Sequence, residues 1–220
     1  MTIVCISRRD SSIIAVLTTG TVDGASPVFP TQILQENTAV TFGIKTRWAT
    51  INGSLEGFSG VISLDESAGT KIPHGQVVFP LDRIRTNTLA ANRALHSLCQ
   101  SLHHPRARFT LLGIDGVDHI EHLGVGDSMP VQIDGVLTIR AISQMVWIFG
   151  TVKRTPSHVC FSGDGSFDWR EFGIALPKRY LFSGVSPLVS IHVETSLPVY
   201  GEHMSLEDTN HASTDHWALT

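Results

Sequence analysis

From Pro30 onward the apolar residues recur with a period of two far more often than with the period of a helix, and Gly, Pro, Asn and Asp punctuate the runs. That rhythm predicts many short antiparallel strands closed into a barrel or sandwich. The run AVTFGIKTRWAT sets Val40, Phe42, Ile44 and Trp48 against Thr41, Lys45 and Arg47, giving one apolar face and one wet one. In GFSGVISLD, Phe58, Gly60, Ile62 and Leu64 share a side, and Gly60 permits the kind of bend that closes barrels. GQVVFPL is a strand whose Pro80 belongs at an edge, a bulge or a strand end. RARFTLL turns Ala107, Phe109 and Leu111 one way and Arg106, Arg108 and Thr110 the other. MPVQIDGVLTIRAISQMVWIFGTV supplies further strands, with Asp134-Gly135 as a turn or bulge between them and Met145 to Val152 apolar on both faces. HVCFSGDGSFDWREFGIAL and SPLVSIHVET complete the sheet, and SGDGS, Ser162 to Ser166, reads as a tight hairpin turn.

One segment has helical rhythm. Thr86, Asn87 or Thr88 caps it, Leu89 to Leu102 is rich in Ala and Leu, and Pro105 stops it. At about 100° per residue, Ala91, Ala94, Leu95, Leu98 and Leu102 form a packing face. Arg93, His96, Cys99, Gln100 and His103 lie opposite, toward water. His96, Cys99 and His103 fall within an arc of about 60°, but no Asp or Glu completes a ligand shell, so no metal site is assigned. The polar, His-rich stretch 201–220 shows no packing face and reads as a flexible tail. Residues 1–27 read as an N-terminal extension containing a strand, and 28–200 as one barrel domain.

Composition narrows the function classes. A formal net charge of −4 with 16% charged residues advertises neither nucleic acid nor anionic lipid as a partner. Three cysteines, Cys5, Cys99 and Cys160, form no CxxC pair and suit a reducing compartment. The apolar run Ile13–Leu17 is too short for a signal segment or a membrane span, so the expected location is cytoplasmic. No GxSxG, HExxH, P-loop or GxGxxG is present, which leaves classical hydrolase chemistry unsupported. The aromatic residues Phe42, Trp48, Phe58, Phe79, Phe109, Trp147, Phe149 and Trp169 fall on strands. They are either ordinary core or, in a barrel of about eight strands, the wall of a site for one apolar ligand.

Five motifs, GFSGVISLD, LDRIRTNTLAANRALHS, HPRARF, GVLTIRAISQMVWIFGTV and REFGIAL, resemble in order and spacing those of the YceI-like polyisoprenoid-binding proteins. The resemblance covers about residues 28 to 195. The family's helix motif falls on Arg93 and His96, its P-x-I-x-F on Pro105, Ala107 and Phe109, and its D-F-G-I on Glu171, Phe172, Gly173 and Ile174. Ala94 replaces the family's Asp, Ser97 its Leu, and Ala141 the Gly after L-T-I. The resemblance implies an extended, lipocalin-like antiparallel barrel with one amphipathic helix near its mouth and a tunnel for an isoprenoid chain.

Two functions compete for such a tunnel. One is a carrier that holds an isoprenoid, quinone or polyene unchanged. The other is a cofactor-free enzyme that folds a terpenoid or polyene and promotes its cyclisation, of pericyclic or Diels-Alder type, with Arg93, His96 and Trp169 as hydrogen-bond donors. The absence of an export signal favours the second. The expected ligand wall comprises Phe42, Trp48, Phe58, Phe79, Phe109, Trp147, Phe149 and Phe172, with no cofactor and with a homodimer as an option.

Overall fold

Alternating apolar positions have to be hidden from water, and here a single sheet hides them by curling over its own inner face. The computed structural model describes residues 31–67, 70–116, 123–175 and 184–198. The strand expected within 1–27 and the tail at 201–220 lie outside the described residues. The strands are β1 (Thr31–Leu34), β2 (Thr38–Lys45), β3 (Thr50–Leu55), β4 (Ser59–Ser67), β5 (Thr70–Pro80), β6 (Ile84–Thr86), β7 (Arg106–Asp115), β8 (Ser128–Ile139), β9 (Ile142–Arg154), β10 (His158–Asp168) and β11 (Leu188–Pro198). They pair antiparallel in the order β1-β4-β5-β7-β8-β9-β10-β11-β2-β3-β6. The fold is all-β and lipocalin-like, with eleven strands in its sheet. The number exceeds the expected eight or so because short strands, β1 and β6 among them, extend the two edges.

Three turns differ from the sequence reading. Ser162–Ser166 is not a hairpin but the middle of β10, where Gly163 faces Gly150 of β9. A side chain at Gly163 would overlap the Phe161 ring, so the glycine makes room for an aromatic residue instead of reversing the chain. Asp134-Gly135 likewise lies inside β8, with Gly135 beneath the ring of Phe109, and the bulge sits opposite, between Leu111 and Gly113 of β7. The chain reverses instead at Arg140 and Ala141, whose φ angles of 52° and 64° make a two-residue turn between the paired Ile139 and Ile142. Ala141 occupies a left-handed position at a cost of about 1 kcal/mol that a glycine would avoid.

Helix α1 (Leu89–Leu98) starts where Thr88 accepts a hydrogen bond from the Ala91 amide at 3.2 Å. It ends one turn earlier than its Leu-rich sequence suggests, because Gln100 takes φ 50° and breaks the spiral. Ala91 and Leu95 are buried as expected, but Leu102 lies beyond the break and is 94% exposed. Asn92 of α1 accepts from the Thr86 amide at 2.7 Å, so the helix also covers part of the open edge at β6.

The other edge is stitched by Asn37, in the turn between β1 and β2. Its side chain accepts from the Leu34 amide at 2.9 Å and donates to the Gln32 carbonyl at 2.8 Å, holding β1. Its own carbonyl accepts from the Ser196 amide at 2.8 Å and the Thr195 hydroxyl at 3.1 Å, holding β11. Beneath it Ile33, Val40 and Phe58 pack as one buried cluster against Val77, Phe79, Val193 and Leu197. Replacing Asn37→Ala removes the bonds to β1 and is expected to lower stability by about 1–2 kcal/mol in urea unfolding, with an unchanged slope. An unchanged midpoint would mean that the apolar cluster alone holds β1.

Candidate functional site: an apolar cavity inside the curled sheet

The inner face does not fill itself. Val40 and Ile44 of β2, Phe109 and Leu111 of β7, Ile148 of β9 and Ile191 of β11 stand on the wall of a cavity of about 230 Å³. Its wall runs from Ile33 and the Thr38–Thr195 pair under the seam to Leu95 and Cys99 of α1 and to Trp169 and Ile174. The volume is modest for a wall drawn from so many strands. No charged side chain stands on the wall among the described residues. A charged ligand end buried there would meet no counter-charge to offset the loss of its water.

The few polar atoms divide into satisfied and unsatisfied. The Thr38 and Thr195 hydroxyls bond each other at 2.7 Å, and Thr195 also donates to the Asn37 carbonyl. Burial pushes the Cys99 thiol up to about 11, with Arg140 opposing weakly, so at neutral pH it is a protonated, small apolar group. Trp169 is 3% exposed, and its indole N–H has no hydrogen-bond partner among the described residues. A buried donor without an acceptor costs about 1–3 kcal/mol. Trp169 opens a single 3-10 turn, Trp169–Phe172, that Asp168 caps through the Arg170 amide at 2.9 Å. Arg170 Nε bonds both Asp168 oxygens at 3.0 Å and holds that carboxyl below its ordinary value.

The candidate residues from the sequence separate sharply. Phe42, Phe58, Phe79, Phe109 and Trp169 stand on the cavity wall. Trp48 does not: it sits at the tip of the β2–β3 turn, 81% exposed, because the strand alternation ends at Lys45. Trp147 and Phe149 are 47% and 60% exposed on the outer face of β9, whose buried face carries Val146, Ile148 and Val152. The second apolar face of that strand therefore meets solvent. Phe172 is fully buried, edge-on to Phe167 with centroids 5.5 Å apart, and packs behind the wall without reaching the cavity.

Arg93 is exposed on α1, away from the cavity. His96 is half-buried and its Nε2 has no partner among the described residues, but it is not on the wall either. Cys99, read from the wheel as facing water, turns out to face the cavity while His103 is exposed. Curvature of the sheet under α1 puts the boundary of the packing face beyond where a free helix would place it. Among the described residues no three His, Cys, Asp or Glu side chains group as a metal site would require.

A family model described as the YceI-like domain matches residues 32–197. The chain belongs to the YceI-like family. Among solved structures, BcnA of Burkholderia cenocepacia superposes on this YceI-like chain with a TM-score of 0.57 at 16% identity, covering 72% of this chain and 95% of that one. A polyisoprenoid-binding domain from Saccharophagus degradans, implicated in plant cell wall breakdown, gives 0.59 at 14% identity, covering 74% and 94%. At these identities the likeness shows the fold alone. No curated protein matches the chain by sequence. No helix among the described residues is long and apolar enough to cross a membrane.

The YceI-like motif at Glu171–Ile174 acquires a structural reading. Phe172 and Ile174 are buried, and Gly173 takes φ 67° and ends the 3-10 turn that carries Trp169. Its carbonyl accepts from Arg140 at 2.8 Å. The motif therefore positions Trp169 and itself contributes Ile174 to the wall. The wall's thiol gives a direct check: with pKa about 11 against an ordinary 9.0, Cys99 in the folded chain is expected to react with a thiol reagent about a hundredfold more slowly than an unburied thiol near pH 8. Peptide mapping of the labelled positions measures it, and fast labelling of Cys99 in the folded state would contradict its burial.

Proposed function

We propose that this YceI-like domain binds one uncharged terpenoid or isoprenoid molecule in its cavity. The observation that carries this reading is an apolar wall on which, among the described residues, no charged side chain stands. Each methylene buried there contributes about 0.8 kcal/mol, so ten give roughly 8 kcal/mol before the costs of ordering the ligand. An alcohol or hydrocarbon loses little on entry, whereas a diphosphate would have to leave water for a wall without cations among the described residues. The domain then works as a carrier or reservoir.

A second reading, cofactor-free cyclisation of a polyene, is favoured by one feature. A confined, apolar site can hold a flexible polyene near a reactive conformation. Against it stand the protonated Cys99 and the outward Arg93.

Competition binding with a linear C20 prenyl alcohol, its diphosphate and the parent hydrocarbon tests the proposal. The alcohol is expected to bind at least about tenfold more tightly than the diphosphate. Tighter binding of the diphosphate, or no binding of any of the three, overturns the reading. Formation of a ring product from a linear polyene faster than in buffer would establish the enzyme instead.

A further inference from the structure

We infer that the α1 end of the barrel docks on an anionic lipid surface. Four connections meet at that end: the β2–β3 turn, the segment from Leu81 through α1 to Pro105, the β8–β9 turn, and the stretch linking β10 to β11. The pairings Lys45–Thr50, Pro80–Arg106, Ile139–Ile142 and Asp168–Leu188 fix them there together.

Two independent features of this end point to lipid. The first is exposed apolar bulk on separate connections. Trp48 is 81%, Leu89 74% and Leu102 94% exposed, and Leu188 adds a fourth such residue at 54%. Trp48 in a turn, Leu89 at the start of α1, Leu102 just past its end and Leu188 at the start of β11 fit the interfacial zone of a bilayer, where an indole is favoured and no deep apolar groove is needed. The second feature is charge. Lys45, Arg47, Arg83, Arg93, Arg106 and Arg108 are exposed at or beside this end, and none has an ion-pair partner among the described residues. Asp82 and Glu171 are the exposed acids on the same connections, since Asp168 is held by Arg170. At the opposite end Glu36, Asp115 and Asp127 are exposed, alongside exposed Lys153 and half-buried Arg154.

A net charge of −4 over the whole chain does not exclude a basic surface here, because among the described residues the arginines gather toward this end. Arg47 lies 4.9 Å from the centroid of the Trp48 ring, so one cation and one interfacial aromatic act as a unit at the tip of a turn. The cavity reaches this end, where Leu95, Cys99 and Trp169 form its wall beneath α1. Docking by this end sets the covered end of an apolar tunnel against the bilayer, the phase in which an apolar ligand resides. An acidic protein partner would use the cations but leaves exposed Leu102 and Leu89 without a role.

Sedimentation of the full chain with vesicles tests this. The chain is expected to pellet with phosphatidylcholine vesicles containing about 30% phosphatidylglycerol, and far less with phosphatidylcholine alone. Binding is expected to fall roughly fivefold for each of Arg93→Glu and Arg106→Glu, and to weaken steeply at high salt. Trp48→Ser with Leu102→Ser is expected to cost about tenfold at constant salt. Phe149→Ser, on the outer face of β9, leaves it unchanged. All these positions are exposed, and an unchanged urea midpoint shows that each variant folds. No pelleting with anionic vesicles, or equal pelleting with both kinds, overturns the inference, as does a loss caused equally by Phe149→Ser. Vesicle binding is read without any ligand, so a chain that pellets but binds no prenyl alcohol would sink the proposed ligand and leave the docking intact.

Discussion

A curled sheet encloses nothing unless its first strand is held against strands far along the pairing order, and here that closure rests on Asn37 and the cluster below it. One residue bonds β1 through its side chain and β11 through its backbone. Ile33, Val40 and Phe58 add the apolar contact that makes the closure stable in water. Without that seam, Val77, Phe79 and Val193 would line an open trough, and water would replace the apolar ligand. The opposite edge is treated differently. Asn92 of α1 caps the free amide at Thr86, which ties the helix to the sheet and sets Leu95 and Cys99 over one end of the cavity.

Once the sheet closes, alternation decides chemistry. Inward positions are apolar on strand after strand, and among the described residues no charged side chain stands on the cavity wall. Cys99 shows the effect in miniature: burial keeps the thiol protonated and removes the one nucleophile on the wall. Trp169 lends its ring to the wall while its indole N–H is buried. Its place depends on the Asp168 cap before it and on Phe172 and Gly173 after it, so the motif both positions Trp169 and adds Ile174 to the wall.

Much of this was legible in the chain. Val40, Phe42 and Ile44, and Ala107, Phe109 and Leu111, share a face by period two alone, and they stand on the cavity wall. Periodicity failed where a strand ended or a residue was read without its neighbours. Trp48 continued the arithmetic of β2 past Lys45, although the chain had already turned. Trp147 and Phe149 are as apolar as Val146 and Ile148, and only the sheet's curvature says which set is inside. The glycines of SGDGS resembled a turn because a sequence does not display the Phe161 ring that needs their space. Leu102 belonged to the helical face until Gln100 adopted a left-handed φ. Net charge, an average, concealed the segregation of arginines toward one end.

Carrier, reservoir and catalyst all require an apolar molecule inside the curl. The most direct measurement is photo-crosslinking with a prenyl chain bearing a diazirine, followed by peptide mapping of the modified residues. Labels are predicted on inward residues such as Phe109, Ile148 and Ile191, in competition with an unlabelled prenyl alcohol. Labelling confined to Trp147, Phe149 or the α1-end leucines, with the interior unmarked and no competition, would contradict the claim that the cavity is the binding site.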